Sequence, residues 1–280
     1  MHDPVEKSLL RWELLAPVLL ILISLGGSSL GGVSQSQSDK TSTATEREIE
    51  KQHQRLASSS EEDRRDALMR LGAMHLQAAS RVCLTALADE SPRVRATAAK
   101  AILALNPQDS YQALIPLLND KDEFVRREAV YALGLTHSRS AVDALTQLLV
   151  NDKEDGVRGA SAIALGEIAD ERAVVALASV LSPMSPVQQK GKRKKKDEQN
   201  PFVLRAAARA LGQIRSRAGV PALLTALEDE KLPDDVRREA AHALGLIGDP
   251  AAVPALRAAS SAADPYLAQA AYESLRKLSP

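Results

Sequence analysis

Apolar residues recur along this chain in one repeated arrangement. Val125, Ala129, Ala132 and Leu133 stand at i, i+4, i+7 and i+8, a spacing that lays side chains along one face of an α-helix, whereas a strand needs alternation by two. The phrase Val125-Arg126-Arg127-Glu128-Ala129, leading to Ala132-Leu133-Gly134, returns as Val236-Arg237-Arg238-Glu239-Ala240, leading to Ala243-Leu244-Gly245. Looser copies begin at Val94, Val157 and Val203, about 31 to 33 residues apart apart from one longer gap, and weaker ones at Asp63-Arg64 and Leu267. Roughly seven units of this kind run from about Ser58 to Pro280.

Each unit predicts two helices. The first opens at the valine and is expected to close at the glycine, Gly134 or Gly245, through glycine's access to the left-handed backbone. The second opens at Asn106-Pro107 or Asp249-Pro250, a capping side chain followed by a proline whose missing N–H costs nothing there. Its apolar residues include Leu114, Leu117 and Leu118, or Val253 and Leu256. Polar turns such as Asn119-Asp120-Lys121-Asp122 lead onward, and Ser91-Pro92 caps the helix of Val94. One such pair cannot bury its apolar stripe alone; stacking on neighbours supplies the missing surface, and abundant alanine lets helices approach closely. The expected fold is therefore all-α, a superhelical solenoid of about seven helix pairs. Asp89, Asp120 and Asp152 each stand five residues before a unit's valine. Each is thus close in sequence to the arginine opening the next helix, Arg95, Arg126 or Arg158, and these groups are expected to form a ladder between units.

Composition agrees with such packing. The chain has 280 residues, 45% hydrophobic but only 2% aromatic, so large rings do not build its core. Its 36 basic and 36 acidic residues balance, and nothing in net charge steers it toward nucleic acid. A single cysteine, Cys83, sits among Val82, Leu84 and Leu87 and reads as a small buried hydrophobe; an intrachain disulfide is excluded.

Two segments break the repeat. From Leu14 to Val33 no charge appears, and Leu14 to Leu25 is strongly apolar. A cleaved export signal and a membrane anchor both fit residues 1–33, the short apolar stretch favouring the first; a buried helix is the plain alternative. Either of the first two makes the protein exported or membrane-tethered. Residues 34–57 read as a polar linker, flexible over Ser34 to Ala44, with a possible leading helix after Thr45. The array of residues 58–280 carries an insertion near 182–200, between the units of Val157 and Val203, holding Lys190, Lys192, Arg193, Lys194, Lys195 and Lys196. This cluster is a candidate contact for anionic lipid or another polyanion, or simply a solvated loop; without interleaved aromatics it offers no sequence-specific grip on nucleic acid.

The phrases Val-Arg-Arg-Glu-Ala and Ala-Leu-Gly resemble the short HEAT-like repeat named for phycobilisome lyases, over nearly all of the chain beyond Ser58. That resemblance implies the solenoid fold and leaves function open among scaffolds, chromophore-lyase subunits and a metal-dependent hydroxylase. The hydroxylases of this class carry a His-Glu pair after the Val-Arg position. Here the matching histidine positions hold Arg127 and Arg238, followed by Glu128 and Glu239, and elsewhere Ala96, Gly159 and Arg205. A guanidinium has no lone pair to give a metal, so the iron set is missing. His2, His53, His75, His137 and His242 show no ligand spacing, and paired carboxylates such as Glu61-Glu62 and Asp234-Asp235 sit at helix starts, where they complement the helix dipole. No catalytic residue, metal or cofactor is assigned. The reading is a non-enzymatic scaffold holding another protein on its concave face, with a chromophore-attachment subunit as the alternative.

Overall fold

A computed structural model describes residues 31–181 and 200–278, with side chains from residue 42 onward. The described chain falls into two units, residues 1–47 and 48–280, and the repeat array lies in the second. Helix α1 (Gly31–Arg55) is followed by six antiparallel pairs: α2 (Glu61–Ala73) with α3 (Gln77–Cys83), α4 (Pro92–Ala101) with α5 (Pro107–Leu114), and α6 (Glu123–Leu135) with α7 (Val142–Asn151). Next come α8 (Asp155–Ile168) with α9 (Val174–Leu181), α10 (Pro201–Ile214) with α11 (Val220–Glu228), α12 (Asp234–Ile247) with α13 (Val253–Ala259), and finally α14 (Pro265–Leu278). The seven-unit expectation thus resolves into seven first helices and six second helices among the described residues. No strand occurs among them.

The caps explain where helices start. Ser60, Ser91, Asn106 and Asp122 accept from the backbone N–H of Asp63, Val94, Asp109 and Phe124, each answering a donor that the first turn leaves unpaired. Asp249 likewise accepts from Ala251 ahead of α13, through a 3-10 turn at Pro250–Ala252. Val94, Val125, Val157, Val203, Val236 and Leu267 are buried, as are Leu71, Leu133, Leu165, Leu211 and Leu244, so the repeated phrase is the core.

The glycines act differently from expectation. Gly134 and Gly245 lie within α6 and α12, and left-handed backbone comes three residues later, at His75, His137, Ala169, Arg215 and Gly248. What these glycines supply is contact between helices. A β-carbon on Gly72, Gly134, Gly166 or Gly212 would stand 3.1, 2.9, 2.9 or 2.8 Å from the α-carbon of Ala101, Ala164, Ala210 or Ala243 on the next first helix. On Gly245 it would meet Ser274 of α14, at 2.6 Å from Cβ. First helices therefore pack backbone against backbone at five of their six seams, each glycine against a small residue seven places after the next unit's valine; at the α4/α6 seam Leu103 stands in the glycine's place. In α14 the corresponding position is the exposed Arg276, which offers no such seam.

Because only Gly248 among the left-handed closures lacks a β-carbon, the other four are strained. Ala169→Gly, at φ 55°, is expected to stabilise the chain by about 1 kcal/mol, measured as a higher urea midpoint; a lower midpoint would show that Ala169 is held by packing instead.

Helix α1 includes Ser34 to Ala44, expected as a flexible spacer. Ser42 donates to Glu46 one turn on, and beyond residue 48 the helix is anchored: Ile49 packs on the core, Gln52 is buried, and Arg55 binds Asp66 at 2.6 Å and Asp63 at 3.2 Å. Extension from that docked end adds one hydrogen bond per residue, which offsets the poor propensity of the Ser/Thr run.

Candidate functional site: the first-helix face

Three arginines tie successive turns together. Arg64 holds Asp89 with two bonds of 2.8 and 2.9 Å, Arg95 holds Asp120 at 2.7 and 2.9 Å, and Arg126 holds Asp152 at 2.8 and 2.9 Å. The remaining nitrogen of each reaches back to carbonyls of its own entry turn: Ser58 and Ser59, Asp89 and Glu90, Asp120 and Lys121. The ladder expected from the sequence exists with its pairing shifted by one unit. Each aspartate binds the arginine of the unit before it, and the arginine after it takes only backbone oxygens from that turn. Asp89, Asp120 and Asp152 also accept from the N–H of Ser91, Asp122 and Glu154, fixing the turns. The run ends at Arg158, which bonds Leu149 O and Asp155 instead.

Ionisation follows from these bonds. Burial disfavours the Asp120 carboxylate, but the Arg95 guanidinium and the Asp122 N–H outweigh it and hold the group below its ordinary 3.8. Asp66, bonded by Arg55 and Arg70, and Asp170, bonded by Arg172, are lowered likewise. A carboxyl whose folded value is depressed adds stability that is complete above its unfolded value and lost as pH falls through the folded one. The urea midpoint is therefore expected to hold steady down to about pH 5 and to drop below about pH 4. A midpoint that rises on acidification would contradict this. Cys83 is fully buried, its thiol pushed up to about 12 by burial, and it bonds only Ala79 O, so it is no nucleophile.

The outward side of the first-helix row is the candidate interface. At four of the six seams the residue before a unit's valine meets the residue two places after the previous valine, and the contacts are specific. The Phe202 ring occupies the space over Gly159, where a β-carbon would fall within its atoms. Arg127 extends to Gly156 and stands 5.4 Å from the Phe124 ring centre. Arg205 binds Asp235 at 2.6 Å, and Arg238 lies 5.2 Å from the Tyr266 ring centre. Thus Arg127, Gly159, Arg205 and Arg238, the positions that the resemblance matched to iron-binding histidines, serve seam contacts. Among the described residues no three His, Cys, Asp or Glu side chains gather as metal ligands. Leu135, Leu246, Tyr266 and Tyr272 expose apolar surface on this row, alongside the ion pair of Arg209 with Glu239 at 2.8 Å.

Between α2, α4 and α6 the face opens into a cavity of about 560 Å³, lined by Arg65, Met69, Arg93, Ala96, Lys100 and Phe124 among others. Its wall includes Glu128, buried and paired with Lys100 at 2.6 Å. No single sequence signal marked this cavity; the clue was the absence of a matching pair at positions 65 and 93. Lys190, Lys192, Arg193, Lys194, Lys195 and Lys196, and the apolar segment from Leu14, lie outside the described residues. Among those described, no helix is long and apolar enough to cross a membrane.

Antiparallel helix pairs repeated in register, with first helices closely packed through small residues at five of six seams, define an α-helical repeat protein. The chain belongs to the HEAT repeats family, whose profile matches residues 49–134, 111–189 and 195–276. No curated protein matches it. Among solved structures, an engineered protein is similar at 22% identity and a TM-score of 0.52, over 82% of this chain and 68% of that one. The complex of CpcE and CpcF of phycocyanin lyase from Nostoc sp. PCC7120 is similar at 23% identity and TM-score 0.48, over 94% of each chain. Human deoxyhypusine hydroxylase in complex with glycerol follows at 20% and 0.40, over 85% of this chain and 98% of that one. Likeness at these identities shows the fold alone.

Proposed function

We propose that this protein is a non-enzymatic scaffold that holds another protein along its first-helix face. The observation that carries the reading is the set of close contacts at Gly72, Gly134, Gly166, Gly212 and Gly245, which draws first helices together at five of their six seams. In a two-row stack the closer row is the inner, concave one, and repeat arrays use that side for extended contacts. Exposed Leu135 and Tyr266 supply apolar anchors there, amid charges already satisfied by neighbours. The apolar run from Leu14 to Leu25 supports export or tethering to a membrane, with the polar segment after it as spacer. The cluster Lys190 to Lys196 supports a second contact with anionic lipid or another polyanion.

Photo-crosslinking amino acids at positions 135 and 266, compared with position 175 on the second-helix row where Val175 is 80% exposed, test the scaffold. Adducts with one partner from 135 and 266 but not from 175 are expected in the native source. Adducts from 175 alone, or from none, would overturn the reading.

A further inference from the structure

The cavity at the α2/α4 seam stands where the pairing rule of the row fails. At other seams the residue before the valine complements the residue it meets: Phe202 fills the space over Gly159, Asp235 neutralises Arg205, and Tyr266 lies on Arg238. At the first seam the two positions are Arg65 and Arg93, a like-charged pair that cannot close on itself, and a hollow remains between them. Arg65 bonds Glu62 through Nη1 only, and its Nε is buried without a hydrogen-bond partner. Arg93 reaches Glu61 at only 3.7 Å and is 69% exposed. Lys100 is held by the buried Glu128 at 2.6 Å, Asp122 also lines the hollow, and Met69, Ala96 and Phe124 supply an apolar wall.

We propose that this cavity is a peptide-binding site that takes an aromatic side chain flanked by a carboxylate, presented by the partner protein. The proposal rests on the scaffold reading and names how a partner is held at one seam. Elsewhere in the row Arg205 in this position is met by an aspartate, Arg238 by a tyrosine ring, and Arg127, facing Gly156, takes the ring of Phe124 on its own helix; the occupant supplies ring and carboxylate together. Its ring stacks against the guanidinium and the apolar wall, and its carboxylate answers Arg93 and the outer edge of the Arg65 guanidinium. The volume admits the ring together with adjoining backbone.

Four methionines make the test specific, because Met69 lines the cavity while Met74 packs against the core on the same helix end. The full chain, labelled with methyl-13C methionine, is titrated with acetyl-Glu-Tyr-Glu amide and with acetyl-Glu-Ala-Glu amide. The tyrosine peptide is expected to shift the Met69 methyl by ring current, saturably, and to leave Met74 in place. The alanine peptide should bind at least about tenfold more weakly, since it lacks the buried ring. Arg93→Phe, which installs the aromatic that α6 and α10 carry at this position, should fill the hollow and abolish the shift; Arg65→Gln should weaken it with the stacking face kept only in part. An unmoved Met69, equal binding of both peptides, or a shift that survives Arg93→Phe would overturn the proposal. If Met69 stays still while crosslinks form at positions 135 and 266, only the cavity assignment fails; if those crosslinks are absent, the scaffold itself fails whatever Met69 does.

Discussion

Gly212→Leu is expected to unfold the middle of the array at temperatures where the wild type is intact. A β-carbon there would lie 2.8 Å from Ala243 Cα and 2.9 Å from Ala243 Cβ. The obstructing atoms are backbone and a methyl group, neither of which can rotate aside, so α10 and α12 must separate. Overpacking of this kind costs about 3 kcal/mol or more, and for an array of this length that lowers Tm by roughly 10 °C. Separation at one seam also removes the neighbour contact from which both flanking units draw their interior, so the loss spreads along the stack. Gly156→Ala is the matching control. Gly156 is the second residue of α8, its nearest neighbour is the flexible Arg127 Nη1 at 3.5 Å, and the exchange should be neutral or stabilise by up to about 1 kcal/mol through helix propensity. Circular dichroism melts of the two variants decide the matter: equal Tm values would mean the seam is not where stability resides.

Arg126→Ala carries the second large effect. The side chain is 7% exposed and its partner Asp152 is 6% exposed. Deletion strips two bonds from the carboxylate and leaves the carbonyls of Asp120 and Lys121 without their donor. Removing one partner of a buried ion pair costs about 3–5 kcal/mol, chiefly because the surviving charge stays desolvated. The double variant Arg126→Ala with Asp152→Ala should therefore be more stable than Arg126→Ala alone. Urea unfolding of the single and double variants checks this, and additive losses would show that the two groups do not act as a pair.

Periodicity carried most of the architecture into plain view. The valine and leucine positions of the phrase are the buried ones, and Ser91, Asn106 and Asp249 cap as their sequence context predicts. Three features were harder to see, each for a physical reason. Gly134 looked like a helix stop because termination and close approach both call for glycine; only the position of Ala164 across the seam separates the two demands. Asp120 stands near Arg126 in sequence yet binds Arg95, since a repeat places the same residue types at equivalent heights and a long guanidinium reaches across the stack as readily as along it. The cavity arises from a mismatch between residues 65 and 93, far apart in sequence and unremarkable singly. Arginine at positions 127 and 238 was legible singly, but its contacts with Gly156 and the Tyr266 ring depend on the neighbouring unit.

Everything here depends on neighbouring first helices meeting through their small residues, and oxidation of paired cysteines measures that contact. In a Cys83→Ser background, Gly72→Cys with Ala101→Cys puts two β-carbons about 3.3 Å apart, close to the range of about 3.5–4.5 Å that a disulfide spans. Rapid intrachain closure of this pair, with none between Gly72→Cys and Ala164→Cys three first helices away, is the predicted result. Failure of the adjacent pair to close, or closure of the distant one, would contradict the stacked array.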